Sequence, residues 1–312
     1  MKLVMASSPH ITSELNVQRT MLNVILALFP VIFFSFFFFG FPAFIVIISS
    51  VISAVLVESL VSIIKKEPLT VFDGSAALTG LLLALWLPPI TPLWMILIGN
   101  IFAIGIVKQC FGGLGHNIFN PALAAKLFLS ITYPTYMTSW YKANSWFQFL
   151  PVASSTPLSK GATLLTTHAQ LFWGNTAGNI GTTSCFAIIL GAIWLFKKHI
   201  IDWKTSASFL GTIFVFSILT WNDPFFQIMS GGVLFAAFFM LTDYVTTPLT
   251  KIGRILFGFF TGLLVISIRL WSIMPESIPF AVILMNGFVP LLDKLGVYLH
   301  LKIYEKLFTK HP

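Results

Sequence analysis

Two aspartates of this sequence stand beside glycine- and proline-rich interruptions in apolar runs, where a carboxylate can do chemistry. Asp73 is followed by Gly74 and precedes an apolar run, and Asp243 stands in a polar turn that ends at Pro248. Where a helix is broken inside an apolar layer, its free backbone groups can bind an ion or a polar ligand together with a carboxylate. The pattern therefore predicts an ion path or a polar binding site at Asp73 and Asp243.

Other charged residues also stand within or beside apolar runs: Glu58, Lys108, Lys126, Arg269 and Asp293. A charge in lipid is costly, so each must pair with another charge, face a cavity or lie at a membrane interface. For Glu58, Lys126 and Asp293 the interpretation is snorkelling or ion pairing near the interface. These three are therefore expected to support the structure and not to bind a ligand.

Metal, iron–sulfur and nucleotide chemistry have no support in the sequence. The six histidines fall in separate segments with no helical i, i+4 pairing, and Cys110 and Cys185 do not form a Cys-x-x-Cys pair. No P-loop, dinucleotide fingerprint in a strand–turn–helix context or Gly-x-Ser-x-Gly motif is present. We expect no metal site and no catalytic residue in this chain alone.

The composition places these residues in a membrane. Hydrophobic residues make up 57% of the chain and charged residues only 9%, and the mean hydropathy of +0.91 exceeds what a soluble core could hide. The net charge of +8 comes from lysines and arginines at the ends of apolar runs, which is typical of topology signals and not of nucleic-acid binding. About ten transmembrane segments are predicted, near 20–40, 43–64, 75–89, 92–110, 121–138, 171–196, 205–221, 229–248, 255–272 and 279–299.

Two of these segments are interrupted, and they define the predicted architecture. The run after Asp73 has about ten apolar residues before Pro88 and Pro89, too few to cross a layer of ~30 Å as one helix. The stretch 174–184 is rich in glycine and hydroxyl groups and does not suit a lipid-facing helix. Small residues that only allow close helix packing are the alternative. With five segments in each half, we expect an all-α polytopic protein of two inverted repeats with broken helices.

The basic residues between the segments indicate the orientation. With the N-terminus inside, nearly all basic loops fall on the cytoplasmic side, whereas the opposite loops carry mainly Lys142 and Lys160. Both termini are therefore expected in the cytoplasm. The predicted parts are a cytoplasmic segment 1–19, a first membrane half 20–138, an outer loop 139–170, a second membrane half 171–299 and a cytoplasmic tail 300–312.

Four motifs resemble those of a known family. The run 108–122, KQCFGGLGHNIFNPA, is similar to the K-x-x-F-G-G-x-G-x-N-x-F-N-P-A signature of the RnfD/NqrB family of membrane flavoprotein subunits. Three further stretches agree with that family: SPH at 8–10, DGSAALTG at 73–80, and FMLTDYVTTPLT at 239–250 with Gly253 and Arg254. The N-terminal extension typical of the NqrB branch is missing, so the resemblance is closer to the RnfD branch.

The resemblance implies a subunit of a complex in the bacterial inner membrane. Such a complex moves electrons between ferredoxin and NAD and couples this transfer to translocation of Na⁺ or H⁺. The implied fold is similar to that of urea transporters. The implied partners are the A, B, C, E and G subunits of an Rnf-type complex, especially the G-like flavoprotein, together with membrane lipid and no nucleic acid.

The resemblance also implies FMN joined through its phosphate to a threonine in the outer loop. Thr156 is the expected attachment site because Thr156-Pro157-Leu158 fits the Thr-Pro-Leu part of the family motif, and the proline favours an extended backbone at Thr156. Thr163 is the runner-up, since it keeps Gly-Ala-Thr but lacks Pro-Leu. A non-covalent riboflavin is a further expectation. Without a flavin, the chain would be a urea-channel-like solute transporter or a passive scaffold subunit.

Overall fold

The computed structural model describes residues 17–68, 71–141, 156–158, 166–272 and 276–308. All regular secondary structure in these ranges is helical, as the composition predicts. The helices are α1 (Val17–Lys65), α2 (Ser75–Leu85), α3 (Leu93–Asn100), α4 (Pro121–Thr132), α5 (Pro134–Met137), α6 (His168–Trp173), α7 (Cys185–Lys197), α8 (Trp203–Leu219), α9 (Pro224–Met229), α10 (Val233–Phe235), α11 (Lys251–Trp271) and α12 (Ile278–Phe308). Two π-helices follow α3 and α10, at Ile101–Gln109 and Ala236–Met240.

Three helices in the described ranges are long and apolar enough to cross a membrane: α1, α11 and the part of α12 up to Lys302. Helix α1 contains a sharp kink at Gly40, where φ is 66° and ψ is −151°. Both of its ends lie near the start of α2. Gln18 Nε2 donates to the Phe72 carbonyl over 3.1 Å, and Lys65 Nζ donates to the Gln109 carbonyl, next to Lys108, whose Nζ donates to Ser75 Oγ. The kink therefore divides α1 into two antiparallel segments. It lies where the predicted run 20–40 ends and the predicted run 43–64 is about to begin.

Helix α2 is the short helix that the sequence predicts. It has 11 residues, or ~16 Å of length, and its last turn is fully buried. Its Gly80 lies against α1, where a Cβ atom would come within 2.6 Å of Ala54 Cβ. Ser50 Oγ donates to the Gly80 carbonyl over 2.7 Å at the same crossing. The interrupted segment is therefore a half-helix at the centre of the molecule.

The glycine-rich stretch 174–184 is not helical, as predicted, and it meets the carboxyl end of α2. The Gly181 amide donates to the Leu85 carbonyl over 2.8 Å, and the Ile180 amide donates to the Leu87 carbonyl over 3.0 Å. Ser35 Oγ of α1 donates in turn to the Ile180 carbonyl over 2.8 Å. The two predicted interruptions, far apart in the sequence, thus satisfy each other's backbone groups.

Each π-helix is followed by a polar turn and a capped helix. After the first, the Asn120 side chain accepts hydrogen bonds from the Ala122 and Leu123 amides at the start of α4. After the second, Thr250 caps α11, and its amide and hydroxyl both donate to Asp293 Oδ1 over 2.9 Å. Insertions that form π-helical turns are frequent at functional sites. Asp293 thus joins α11 and α12 through hydrogen bonds, and among the described residues it has no ion pair, whereas its predicted position near a membrane interface stays a prediction.

Two predicted apolar runs are less regular than expected. The run 121–138 is divided into α4 and α5 because Pro134 cannot continue the hydrogen bonding of α4. The run 229–248 is helical only from Val233 to Met240, and two glycines with positive φ, Gly231 and Gly232, precede it. Both departures shorten helices that the hydropathy pattern predicts as long.

Candidate functional site

A cavity of ≈ 90 Å³, here called the amino-end pocket, lies at the amino end of α2. Its polar lining residues include Ser75, Lys108, Asn120 and Asp243, and the remainder is mainly apolar. Asp243 Oδ2 accepts a hydrogen bond from Thr246 Oγ1 over 3.1 Å in the turn after the second π-helix. The predicted carboxylate at this helix break therefore borders a cavity.

Asp73 lies one hydrogen bond behind the same pocket. Its Oδ1 atom accepts from the Ser75 amide over 2.8 Å and from Ser75 Oγ over 2.6 Å. Gly74 between them has a φ of +78°, which a residue with a side chain rarely adopts. The structure therefore brings Asp73 and Asp243, 170 positions apart in the sequence, to one pocket, with Asp73 acting through Ser75.

A buried lysine and a buried glutamate complete this site. Lys108 Nζ donates to Ser75 Oγ over 2.6 Å and to Glu58 Oε1 over 2.6 Å, and both charged side chains are almost fully buried. Glu58 is thus ion-paired, as predicted, and the pair lies in the interior of the protein. The chain Glu58–Lys108–Ser75–Asp73 contains two carboxylates and one ammonium group.

The charges of these four hydrogen-bonded side chains determine which ligand the site can bind. The ammonium of Lys108 lies near the positive end of the α2 dipole, an arrangement that is favourable only because two carboxylates flank it. The excess of one negative charge, beside a small cavity with a few polar groups in a mainly apolar lining, favours a monovalent cation or a proton. Sequence analysis found Asp73 and Lys108 separately but missed their connection, which depends on the Ser75 hydroxyl.

A second cavity, here called the carboxyl-end pocket, lies at the other end of α2 and has a volume of ≈ 30 Å³. It is lined by Thr156, Trp140, Asn179, Thr182 and Glu276 among others. Thr156 is only 6% exposed, and the connected stretch Thr156–Leu158 contributes three lining residues. The predicted Thr156 therefore lies in a pocket formed by several elements, whereas the runner-up Thr163 lies outside the described residues.

The walls of the carboxyl-end pocket fit a phosphate better than a flavin ring. Thr176, Thr182 and Thr183 bring hydroxyl groups, and Gly178 and Gly231 allow close approach to the backbone. Yet a cavity of ≈ 30 Å³ has room for one or two water molecules and not for a three-ring system. The described residues could therefore hold the phosphate end of an FMN group on Thr156, with the ring outside this cavity.

An ion pair fixes one wall of the carboxyl-end pocket. Lys126 Nζ is fully buried and lies 2.9 Å from Glu276 Oε2, while Asn179 Nδ2 donates to Glu276 Oε1 over 2.7 Å. Lys126 is ion-paired as predicted, but again in the interior. Glu276 and Asn179 were missed in the sequence. A signal for Glu276 was available, because a lysine in an apolar helix, here Lys126, requires a counter-charge.

The fold and these two pockets define a class of protein: a helical membrane protein with broken helices whose two polar sites lie at opposite ends of one short helix. A family model described as NQR2, RnfD, RnfE matches residues 4–299. The chain belongs to this family, which confirms the resemblance found in the motifs.

Curated relatives cover nearly the whole chain. The chain is 39% identical over 304 residues to the D subunit of the Na(+)-translocating ferredoxin:NAD(+) oxidoreductase complex of Acetobacterium woodii, with 94% of this chain and 93% of the relative aligned. It is 40% identical over 311 residues to the D subunit of the proton-translocating ferredoxin:NAD(+) oxidoreductase complex of Clostridium ljungdahlii, with 93% of each chain aligned. It is 37% identical over 320 residues to the D subunit of the ion-translocating oxidoreductase complex of Stutzerimonas stutzeri, with 90% of each aligned.

The buried pair at the amino-end pocket yields a stability prediction. Replacing Lys108 by Met leaves the Glu58 carboxylate buried without its ammonium partner, so we expect the purified protein to lose about 3–5 kcal/mol of unfolding free energy. The double variant Glu58→Gln/Lys108→Met should recover a large part of this loss. Thermal or denaturant unfolding in detergent measures both effects.

Lys204→Met is the matched control for this prediction, because Lys204 is part-exposed and lies 3.7 Å from Asp202. Removal of such an exposed ammonium should cost less than about 1 kcal/mol. If Lys108→Met destabilises the protein no more than Lys204→Met, then the Glu58–Lys108 pair does not have the role described here.

Proposed function

We propose that this chain is the D subunit of an Rnf-type complex in the bacterial inner membrane. In this role it takes part in coupling electron transfer between ferredoxin and NAD to translocation of an ion. The support is the alignment over about nine-tenths or more of each chain with D subunits whose complexes carry this activity in their names. As one component of such a complex, it is not expected to be catalytic alone.

The electron-carrying group in this proposal is FMN, joined through its phosphate to Thr156. The observation that carries it is the placement of the Thr156-Pro157-Leu158 stretch in a pocket with a hydroxyl- and glycine-rich wall. A bound FMN would supply reversible one- and two-electron transfer. The chain would hold the phosphate with its threonine hydroxyls, and the Lys126–Glu276–Asn179 contacts would keep the wall in place.

The proposed orientation places the carboxyl-end pocket on the outer face and both termini in the cytoplasm. It is supported by the sequence, in which nearly all basic residues between the predicted segments fall on the same side of the membrane as the N-terminus. On the outer face, a G-like flavoprotein subunit would be the neighbour of Thr156. The other partners would be the A, B, C and E subunits and the surrounding lipid.

The finer architecture is a set of ten membrane segments in two inverted repeats, similar to urea transporters. Its support is the order of elements, because each half contains an interrupted helix and then a π-helix, a polar turn and a capped helix. In inverted repeats, the interrupted helices meet near the midplane and form the site. The backbone hydrogen bonds between residues 180–181 and the end of α2 agree with this arrangement.

Asp73 and Asp243 form the proposed ion path, together with the negative excess of the Glu58–Lys108–Ser75–Asp73 chain. A redox-linked shift of the broken helices would open and close this path. The amino-end pocket is not proposed as a riboflavin site, because its volume of ≈ 90 Å³ is smaller than the ~150 Å³ of a cavity that accommodates benzene. A non-covalent riboflavin would need surfaces beyond the described walls.

Covalent flavin on Thr156 is tested by in-gel fluorescence of the denatured protein, produced together with a flavin transferase. We expect flavin fluorescence in the wild-type protein and in the control Thr163→Val, and complete loss of it in Thr156→Val. Valine has the size of threonine but lacks the hydroxyl group to which the phosphate would be joined. Loss only in Thr163→Val would move the site by seven residues. Wild-type protein without flavin fluorescence would contradict the electron-carrier proposal and favour the solute-channel or scaffold alternatives.

The ion path is tested with Asp73→Asn in the reconstituted complex. Loss of the carboxylate removes one negative charge next to Ser75, so we expect ion binding to weaken about tenfold, or by ~1.4 kcal/mol, and ion transport per electron to fall. Electron transfer should continue, and Glu67→Gln, an exposed neighbour, should have no effect on either rate. Unchanged ion transport with normal electron transfer would contradict the role of Asp73.

A further inference from the structure

Arg269 in the last turn of α11 has an unusual set of contacts. Its Nη1 atom donates to the Gln227 carbonyl over 2.7 Å and to Gln227 Oε1 over 2.9 Å. Its Nη2 atom donates to the Ser230 carbonyl over 3.0 Å. All three acceptors are neutral. The guanidinium is therefore oriented by polar groups, but none of them compensates its charge.

No carboxylate of the described residues lies within ion-pairing distance of Arg269. The two acidic residues in this part of the molecule have other partners. Glu276 pairs with Lys126. Asp223 pairs with His168 over 2.7 Å and accepts from the amides of Phe225 and Phe226. Burial tends to raise the pKa of Asp223, but these contacts outweigh it and hold the pKa below its usual value.

The position of Arg269 relative to Thr156 follows from Gly231. Gly231 lines the carboxyl-end pocket together with Thr156 and Leu158. A Cβ atom on Gly231 would lie 2.4 Å from Leu158 Cδ1 and 2.7 Å from Arg269 Nη2. The guanidinium and the Leu158 side chain therefore contact the same backbone position. Because Leu158 is two residues after Thr156, Arg269 lies beside the stretch that would carry the flavin.

Ser230, next to Gly231, offers a second polar group. The residue is 1% exposed, and within the described part of the chain its hydroxyl has no hydrogen-bond partner. A buried hydroxyl without a partner costs free energy. An arginine near a helix end is often explained by the helix dipole alone. That explanation leaves the Ser230 hydroxyl unexplained, as well as the direction of the guanidinium toward the loop at Gly231.

We propose that Arg269, which lies behind the lining residue Gly231 at the edge of the carboxyl-end pocket, binds an anion there and provides the counter-charge for the phosphate group attached to Thr156. Arginine binds phosphate oxygens through charge-assisted hydrogen bonds, and the Ser230 hydroxyl is a second donor for them. This inference rests on the proposed flavin attachment. It adds that the guanidinium of Arg269, which has no counter-ion in the described part of the chain, is compensated by the negative charge of the attached FMN phosphate.

The test is a thermodynamic cycle between attachment of FMN and the Arg269 side chain. Wild type and Arg269→Gln are each produced with and without a flavin transferase, and thermal unfolding midpoints are measured in detergent. We expect attachment to raise the wild-type midpoint and to raise that of Arg269→Gln by less than half as much. Arg269→Lys, which keeps the charge but not the planar fork, should give an intermediate rise.

The matched control is Arg254→Gln, on the same helix but at its other end, where Arg254 Nη1 lies 2.8 Å from Asp202 Oδ2. This variant should keep the full rise on attachment of FMN. An equal rise in Arg269→Gln and wild type would overturn the proposal. If Arg269→Gln does not accumulate, Arg269→Lys replaces it, and a rise as large as in wild type then overturns the proposal.

A second arm separates this inference from the attachment of flavin. Unmodified proteins are titrated with inorganic phosphate against chloride at equal ionic strength. Phosphate should raise the unfolding midpoint of wild type and Arg254→Gln but not that of Arg269→Gln, and the same response in all three overturns the proposal. If wild type never receives flavin, attachment at Thr156 fails, while this titration still decides whether Arg269 binds phosphate.

Discussion

The structure depends on hydrogen bonds that satisfy the carboxyl end of α2 inside an apolar layer. A helix that ends at membrane depth leaves carbonyl groups without partners, and each costs several kcal/mol unless protein supplies a donor. The amides of Ile180 and Gly181 supply two such donors. Gly181 can come this close only because it has no side chain, since a Cβ atom there would lie 2.6 Å from Leu85 Cβ.

This junction explains why the molecule has a pocket at each end of α2. At the amino end the free amides and the positive end of the dipole meet carboxylates, and Asp73 accepts from the Ser75 amide. At the carboxyl end the glycine-rich stretch that supplies the donors also forms the wall around Thr156. A half-helix of ~16 Å therefore separates the negatively charged amino-end pocket from the carboxyl-end pocket. Near the latter lies the guanidinium of Arg269, which has no counter-ion among the described residues.

The sequence was sufficient to predict the broken helices, because an aspartate and glycine at one end and two prolines at the other have direct consequences for backbone geometry. It also named Asp73, Asp243 and, by family resemblance, Thr156 as candidate site residues, and each lies at or next to one of the two pockets. It did not reveal that Lys126 pairs with Glu276, since these residues are 150 positions apart and no local pattern joins them. The environment of Arg269 was equally hidden, because it depends on how the Gly231 loop packs against Leu158.

The most direct test of this account is a high-resolution cryo-electron microscopy map of the complete complex, purified with its flavins intact. The account predicts continuous density from Thr156 Oγ1 to a phosphate on the outer face, within hydrogen-bonding distance of the Arg269 guanidinium. The flavin ring should lie outside the small cavity, toward the neighbouring subunits. Density for the flavin on Thr163, or a phosphate on Thr156 that points away from Arg269 without contact, would contradict it.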